Sequence, residues 1–232
     1  MHVAVPDPED ALRAMNGLRA HLPLLLALSA NSPFWQGRET GLASTRTPMF
    51  GAFPRVGLPR AFWDYSDYVE SVDELLRCGA FPEPTFLWWD VRLQPRWGTV
   101  EVRIMDAQTT IADSAALVAI VQALVHMQAG DGHQALAAHG SPELLAENRF
   151  LAARDGMQAR FLDPVLEGQI SVQEVLASTL DACAEHADEL GCRDELESAR
   201  ELSRHPGAQR QRERAREPAG LGGLVATLAD AF

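Results

Sequence analysis

The sequence predicts an α+β fold with an antiparallel sheet. Strand-like segments lie within residues 1–110, residues 111–232 are patterned mainly as helix, and no regular β-α-β alternation links the two halves. At 232 residues with 47% hydrophobic content the chain can bury one sizeable core, so 1–232 reads as one domain: a sheet and loop region with helices on one face, followed by a helical half.

The elements follow in order. Val3 to Val5 ends a strand, and Pro6-Asp7-Pro8-Glu9-Asp10 combines turn, cap and first-turn acidic signals, so a helix starts there. Leu12, Met15, Leu18, Leu22, Leu25, Leu26 and Leu28 recur at helical spacing as far as Ala30, with Pro23 a candidate kink. From Asn31 to Asp64 the pattern turns irregular, with four prolines, four glycines and four arginines in 34 residues, and loops of that length usually serve a function. Ser66 opens a second helix that runs through Arg77 and ends at Gly79. Phe86–Leu93 and Thr99–Met105 have the β-branched and aromatic content of paired strands around Gln94-Pro95-Arg96-Trp97-Gly98, which predicts a β-hairpin. Helices are then predicted over Ser114–Gln128, Pro142–Gly156, Ser171–Leu190, Arg193–Ser203 and a C-terminal segment to Phe232. The Arg/Glu mixture of Gln209–Arg216 reads as a solvated helix face.

Composition excludes several classes of function. The longest apolar run, Leu22 to Ala30, is too short to span a bilayer, and no signal peptide precedes it, so the expectation is no membrane and a cytoplasmic location. Cys78, Cys183 and Cys192 are odd in number and match no zinc spacing, which favours free thiols. All 20 basic residues are arginine. Schiff-base, Walker-type and general-base lysines are thereby excluded, and any anion must be held by arginine, backbone amides or metal. A net charge of -12 argues against nucleic acid as a partner. No G-x-G-x-x-G, phosphate-loop or G-x-S-x-G motif is present.

The sharpest chemical signal is Thr99-Val100-Glu101-Val102-Arg103-Ile104-Met105-Asp106. Alternation puts Glu101 and Arg103 on one strand face and Val100, Val102 and Ile104 on the other. A carboxylate and a guanidinium on an open sheet face suit a metal and an anionic substrate group; a surface salt bridge explains them without any ligand. In the long loop, Arg38 and Arg46 with Asn31, Ser32, Ser44 and Thr45 suit phosphate or carboxylate binding, or a solvated loop in which Phe34 and Trp35 cover the helix end. Arg149 and Arg154, five apart on a helix, fit a solvated face. His21, His126, His133, His139, His186 and His205 show neither H-E-x-x-H nor paired metal spacing and read as surface or satisfied polar residues; His2 differs in lying on a strand.

Together these stretches resemble the carboxylate-amine ligase family known as glutamate-cysteine ligase type 2, a branch of the glutamine-synthetase-like ligases. The resemblance covers essentially the whole chain. Its carriers are His2–Asp7, Leu22–Trp35, Gly37–Gly41 with Ser44–Arg46, Gly98–Arg103 and Glu147–Gly156. It implies an antiparallel sheet whose open face binds ATP, divalent metal and glutamate, and a reaction in which glutamate's γ-carboxylate is phosphorylated and the amine of cysteine, or another amine, attacks the acyl phosphate. Carried over by resemblance, Glu101 is a Mg²⁺ ligand, Arg103 neutralises phosphate, and Arg38 and Arg46 hold carboxylate or phosphate. Asn31 and Ser32 donate at the rim, Asn148, Arg149 and Arg154 contact nucleotide or substrate, and His2 faces the same cavity. Members of the family begin with a glutamate-rich G-x-E-E-E strand that this sequence does not contain, so the sheet is expected to be incomplete at its N-terminal side and the isolated chain weakly active or inactive. The alternative is a non-catalytic remnant that binds a partner, or a second copy, through an exposed sheet edge.

Overall fold

The computed structural model describes residues 1–130 and 141–230. Strand β1 (His2–Ala4) leads into helix α1 (Pro8–Ser29), whose start is fixed by Asp7: its carboxylate accepts from the backbone N–H groups of Glu9 and Asp10, and Pro8 occupies the first turn. Most of α1 is buried, from Leu12 to Leu28, and Pro23 is accommodated within the helix.

The segment predicted as an irregular loop contains short elements: a hairpin of β2 (Phe34–Trp35) and β3 (Arg38–Glu39), helix α2 (Arg46–Phe50) and strand β4 (Val56–Gly57). Asn16 of α1 clasps the far end of this segment, donating to Phe62 O and accepting from Phe62 N. Helix α3 (Tyr65–Arg77) starts at the Asp64 cap and ends before Gly79, close to the expected bounds.

Strand β5 (Trp88–Trp89) pairs in parallel with β4, while β6 (Val91–Gln94) and β7 (Thr99–Val102) form the predicted hairpin, shorter than expected. Pro95–Trp97 makes a 3₁₀ turn, and Gly98 closes it at φ 58°, in the left-handed region that favours glycine. The principal sheet has the order β1-β7-β6, antiparallel throughout. Its register aligns Val3, Val100 and Leu93 on one face and His2, Glu101 and Arg92 on the other. The apolar face packs on α1.

Helix α4 (Ile111–Gly130) is the centre of the helical half and packs against α1, α6 (Val172–Glu189) and α7 (Arg193–Arg204). Its length and mean hydropathy of 1.4 would suit a membrane crossing, which the reading of short apolar runs did not register. Here Leu117, Ile120, Val121, Leu124 and Val125 are buried by neighbouring helices, the setting of a core helix.

Helix α5 (Pro142–Asp155) is capped by Ser141, and α6 by a capping box of Ser171 and Glu174. Between them lies a hairpin that the helical reading missed, β8 (Arg160–Asp163) and β9 (Gly168–Ser171). Its signal was present in Asp163-Pro164: the Asp163 carboxylate accepts from the amides of Val165 and Leu166 and closes the turn.

Two helices, α8 (Gly207–Ala215) and α9 (Gly220–Asp230), complete the described chain. Here the prediction of a solvated face is corrected. Arg210 pairs with Asp113, Gln211 donates to the main-chain and side-chain oxygens of Asn31, and Arg212 reaches Glu39 and Leu42 O, so α8 docks on the long loop. Gly207 makes that approach possible, because a Cβ there would collide with the Asn31 side chain.

Adjacent residues on α4 offer a direct check of this packing. Leu117→Ala removes a fully buried side chain and is expected to lower the unfolding free energy by about 2–5 kcal/mol in a denaturant titration, whereas Val118→Ala, at a position 45% exposed, should change it by no more than about 0.5 kcal/mol.

Candidate active site

Three strands bring a row of polar side chains onto the face of the sheet opposite α1. His2, Glu101 and Arg92 lie side by side across it, with Thr99 and Gln94 in the next row. Glu101 is 7% exposed, so it is not a surface ion pair. One carboxylate oxygen accepts from Arg92 Nε at 2.7 Å and Gln94 Nε2 at 2.9 Å, and the other from Arg103 at 2.6 Å. Burial pushes the carboxyl pKa up, but these hydrogen bonds outweigh it and hold the pKa at about 2. Arg92 is itself locked by donation to the carbonyls of Thr85 and Leu87. His2 bonds Thr99 Oγ1 at 3.0 Å and lies 3.7 Å from Glu101.

Just beyond β7, Asp106 is buried at 5% exposure and gathers the loop that follows α1. Its carboxylate accepts from Asn31 N at 2.9 Å, Ser32 Oγ at 2.7 Å and Ser44 Oγ at 3.0 Å. The Ser32–Ser44 bridge and donation from Ala43 N and Ser44 N to the last carbonyls of α5, those of Arg154 and Ala153, fix the loop further. Arg46 is thereby carried onto the end of β7, where its guanidinium donates to Ile104 O and Arg103 O, both at 3.0 Å, with Asp106 3.8 Å away.

Arg46, Glu101, Arg103, Asp106 and Gln108 line a cavity of about 510 Å³. Two buried side-chain atoms in its wall have no partner among the described residues: Arg103 Nε, a donor, and Gln108 Oε1, an acceptor. The Gln108 amide nitrogen is already committed to Ser29 O and Asp106 O, which leaves its oxygen as the free end. Unsatisfied buried polar atoms carry a free-energy penalty that a ligand completing them would relieve.

The structure brings Glu101, Arg103, Arg46, Asn31, Ser32 and His2 into one connected cluster and separates the others. Asn31 is spent on structure, donating to Ala107 O and Thr109 Oγ1 and accepting from Gln211. Asn148 pairs with both backbone groups of Leu162 and anchors β8. Arg149 forms a 2.7 Å ion pair with buried Asp90, whose carbonyl accepts from Arg103 N, so it supports the site through Asp90. Arg154 is exposed, bonded to its neighbour Asp155 and stacked over Phe150. Arg38 is exposed on the β2–β3 hairpin and forms no ion pair with the described residues. Sequence reasoning missed Asp106, Arg92 and Gln108. A carboxylate two residues beyond buried Ile104, on the strand's apolar phase, was the available sign of Asp106, and the hairpin register was that of Arg92.

The divalent ion implied by resemblance does not fit Glu101 as it stands. Mg²⁺ seeks several hard oxygen ligands; here one carboxylate is bracketed by two guanidiniums and an amide, with its oxygens already accepting. One acid between two arginines leaves a net positive charge, which suits an anion beside Arg103.

Comparison with known proteins gives a consistent result. The chain is 42% identical over 235 residues to a candidate glutamate–cysteine ligase 2-3 of Rubrobacter xylanophilus, covering 100% of this chain and 62% of that protein. It is 40% identical over 214 residues to a candidate glutamate–cysteine ligase 2-1 of the same organism (92% and 57%), and 36% identical over 229 residues to a candidate glutamate–cysteine ligase 2 of Clavibacter michiganensis subsp. michiganensis (98% and 60%). The chain thus spans less than two thirds of the length of these relatives. With the pattern of that family matching residues 1–222, the chain belongs to glutamate-cysteine ligase family 2.

Proposed function

We propose that this chain carries the acyl-activating face of an ATP-dependent carboxylate–amine ligase that joins glutamate to cysteine. In this reading the γ-carboxylate oxygen of glutamate attacks the γ-phosphorus of ATP and ADP leaves. The cysteine amine nitrogen then attacks the acyl carbon, the carbon–oxygen bond to phosphate breaks, phosphate departs with the electron pair, and the nitrogen loses a proton to leave an amide. ATP, glutamate and cysteine are the small-molecule partners, and three unpaired thiols suit a cytoplasmic setting.

The observation that carries the reading is the cavity wall in which Arg46 and Arg103 lie together, with Arg103 Nε unpartnered. Phosphoryl transfer requires positioning and charge stabilisation more than a covalent nucleophile, and a site built from fixed guanidiniums supplies both. Arg103, held by Glu101 and by Asp90 O, takes the acyl-phosphate oxygens. Arg46, tied to the β7 carbonyls, adds positive charge beside it, and Arg38, exposed on its hairpin apart from that cavity and without an ion pair among the described residues, is the candidate to hold a substrate carboxylate. Asn31 and Ser32 act by shaping the rim through Asp106. The scheme assigns no step to a metal held by Glu101. The names of the relatives favour cysteine as the amine. A second reading rests on β1, an edge strand of the principal sheet: a strand from another chain could pair there, giving an interaction module in place of an enzyme.

With saturating MgATP, glutamate and cysteine, the turnover of the isolated chain is expected to be weak, to yield γ-glutamylcysteine and ADP in equal amounts, and to be lowered further, by about 10²–10³-fold, in Arg103→Ala. ADP release indifferent to glutamate, or turnover unaffected by that substitution, would sink the ligase reading. A parallel screen of amine acceptors tests cysteine against its competitors.

A separate outcome concerns Glu101 as an anchor for cations. Its folded pKa of about 2 lies below the ordinary 4.5, so its contribution to stability is fully present above 4.5 and is lost as pH falls toward 2. Stability measured across that window should fall less steeply in Glu101→Gln than in the parent chain; identical slopes would show that the carboxylate is not held this way.

A further inference from the structure

Away from the sheet, α4 and α6 bring together three side chains that no step above uses. His186 and Glu189 are one turn apart on α6 and therefore share a face, and His126 meets them from α4. The Nδ1 atoms of His126 and His186 are 3.1 Å apart, and Glu189 Oε2 lies 3.7 Å from His126 Nδ1. All three ligand atoms lie within 4.8 Å of one another. Two nitrogens bound tetrahedrally to one zinc at about 2.0–2.1 Å are about 3.3 Å apart, so the observed separation is close to that of a ligand pair.

We propose that His126, His186 and Glu189 form a binding site for Zn²⁺ that links α4 to α6, with water completing the coordination. Two imidazoles and a carboxylate select a borderline late first-row divalent ion over Mg²⁺ or Ca²⁺, which favour all-oxygen sets. The helices are already packed against each other, so the ligands converge without rearrangement of the backbone. His126 and Glu189 are 46% and 58% exposed at the side chain, which leaves the ion an entry path. The site is separate from the candidate active site: His126 is 12 residues along α4 from Ser114, which lines the sheet cavity, or about 18 Å along the helix. The sequence hides it because its histidines are 60 positions apart. His133 and His139, the other histidines of this region, lie outside the described residues.

The test is Zn²⁺ titration of the untagged chain by calorimetry with a competing chelator, accompanied by thermal unfolding. The parent should bind one equivalent at this site and show a raised Tm. His126→Ala and Glu189→Gln, both at exposed positions, should each weaken that binding by at least about tenfold and make the Tm shift at the same Zn²⁺ concentration smaller. Absence of Zn²⁺ binding by the parent, or binding and Tm shifts unaltered in both variants, would overturn the assignment.

Discussion

The geometry of the candidate site depends on one buried carboxylate. Asp106 sits where β7 ends and accepts from the backbone of Asn31 and the hydroxyls of Ser32 and Ser44, three groups on either side of the β2–β3 hairpin. Without it, two hydroxyls and an amide would lose their acceptor at the point where α1 gives way to the loop, each at a penalty of about 1–3 kcal/mol if left buried and unpaired. The same contacts deliver Arg46 to the carbonyls of Arg103 and Ile104. The loop has little apolar surface of its own to bury, with Trp35, Met49 and Phe53 exposed, so hydrogen bonds to a fixed carboxylate do the holding.

A second constraint acts on the neighbouring strand. Burial alone would raise the Glu101 pKa, and Arg92, Gln94 and Arg103 more than offset it, while Arg92 is fixed by the backbone of the Thr85–Leu87 segment. Arg103 is the freest of the three, and its main chain is clamped on both sides, N–H to Asp90 and C=O from Arg46. Its side chain is thus aimed before any ligand arrives. Pre-orientation of this kind is what makes fixed charges effective toward a developing anion, since little reorganisation remains for the reaction itself to drive.

Much of this fold was legible in the sequence where local chemistry decides the outcome. Asp7-Pro8 and Ser141-Pro142 mark helix starts, Gly98 marks the hairpin turn, and the alternation of Val100, Val102 and Ile104 against Glu101 and Arg103 assigns the two strand faces. Resemblance supplied the Asn31 turn and the Arg46 loop as parts of one site. What stayed hidden was every feature settled by partners distant in the chain. Asn148 and Arg149 look like ligand contacts until Leu162 and Asp90 are seen to occupy them. Arg210 and Arg212 of α8 look solvated until Asp113, Glu39 and Leu42 O are seen to receive them.

The position of α8 follows from the same hub. Asn31 gives its amide N–H to Asp106 and its side-chain nitrogen to Ala107 O and Thr109 Oγ1, leaving its carbonyl and side-chain oxygens turned the other way as acceptors. Gln211 fills both, and Gly207 permits the approach, while Arg210 closes the contact on Asp113 at the start of α4. One asparagine therefore links the sheet's end, the segment that leads into the central helix and a helix 180 residues later in the chain. A larger residue at position 207 would push α8 off Asn31 and withdraw support from the turn that Asp106 organises. The site's rim is for this reason built from both halves of the chain, and α8, although it lines no part of the Arg46–Arg103 cavity, belongs to the structure that holds it in shape.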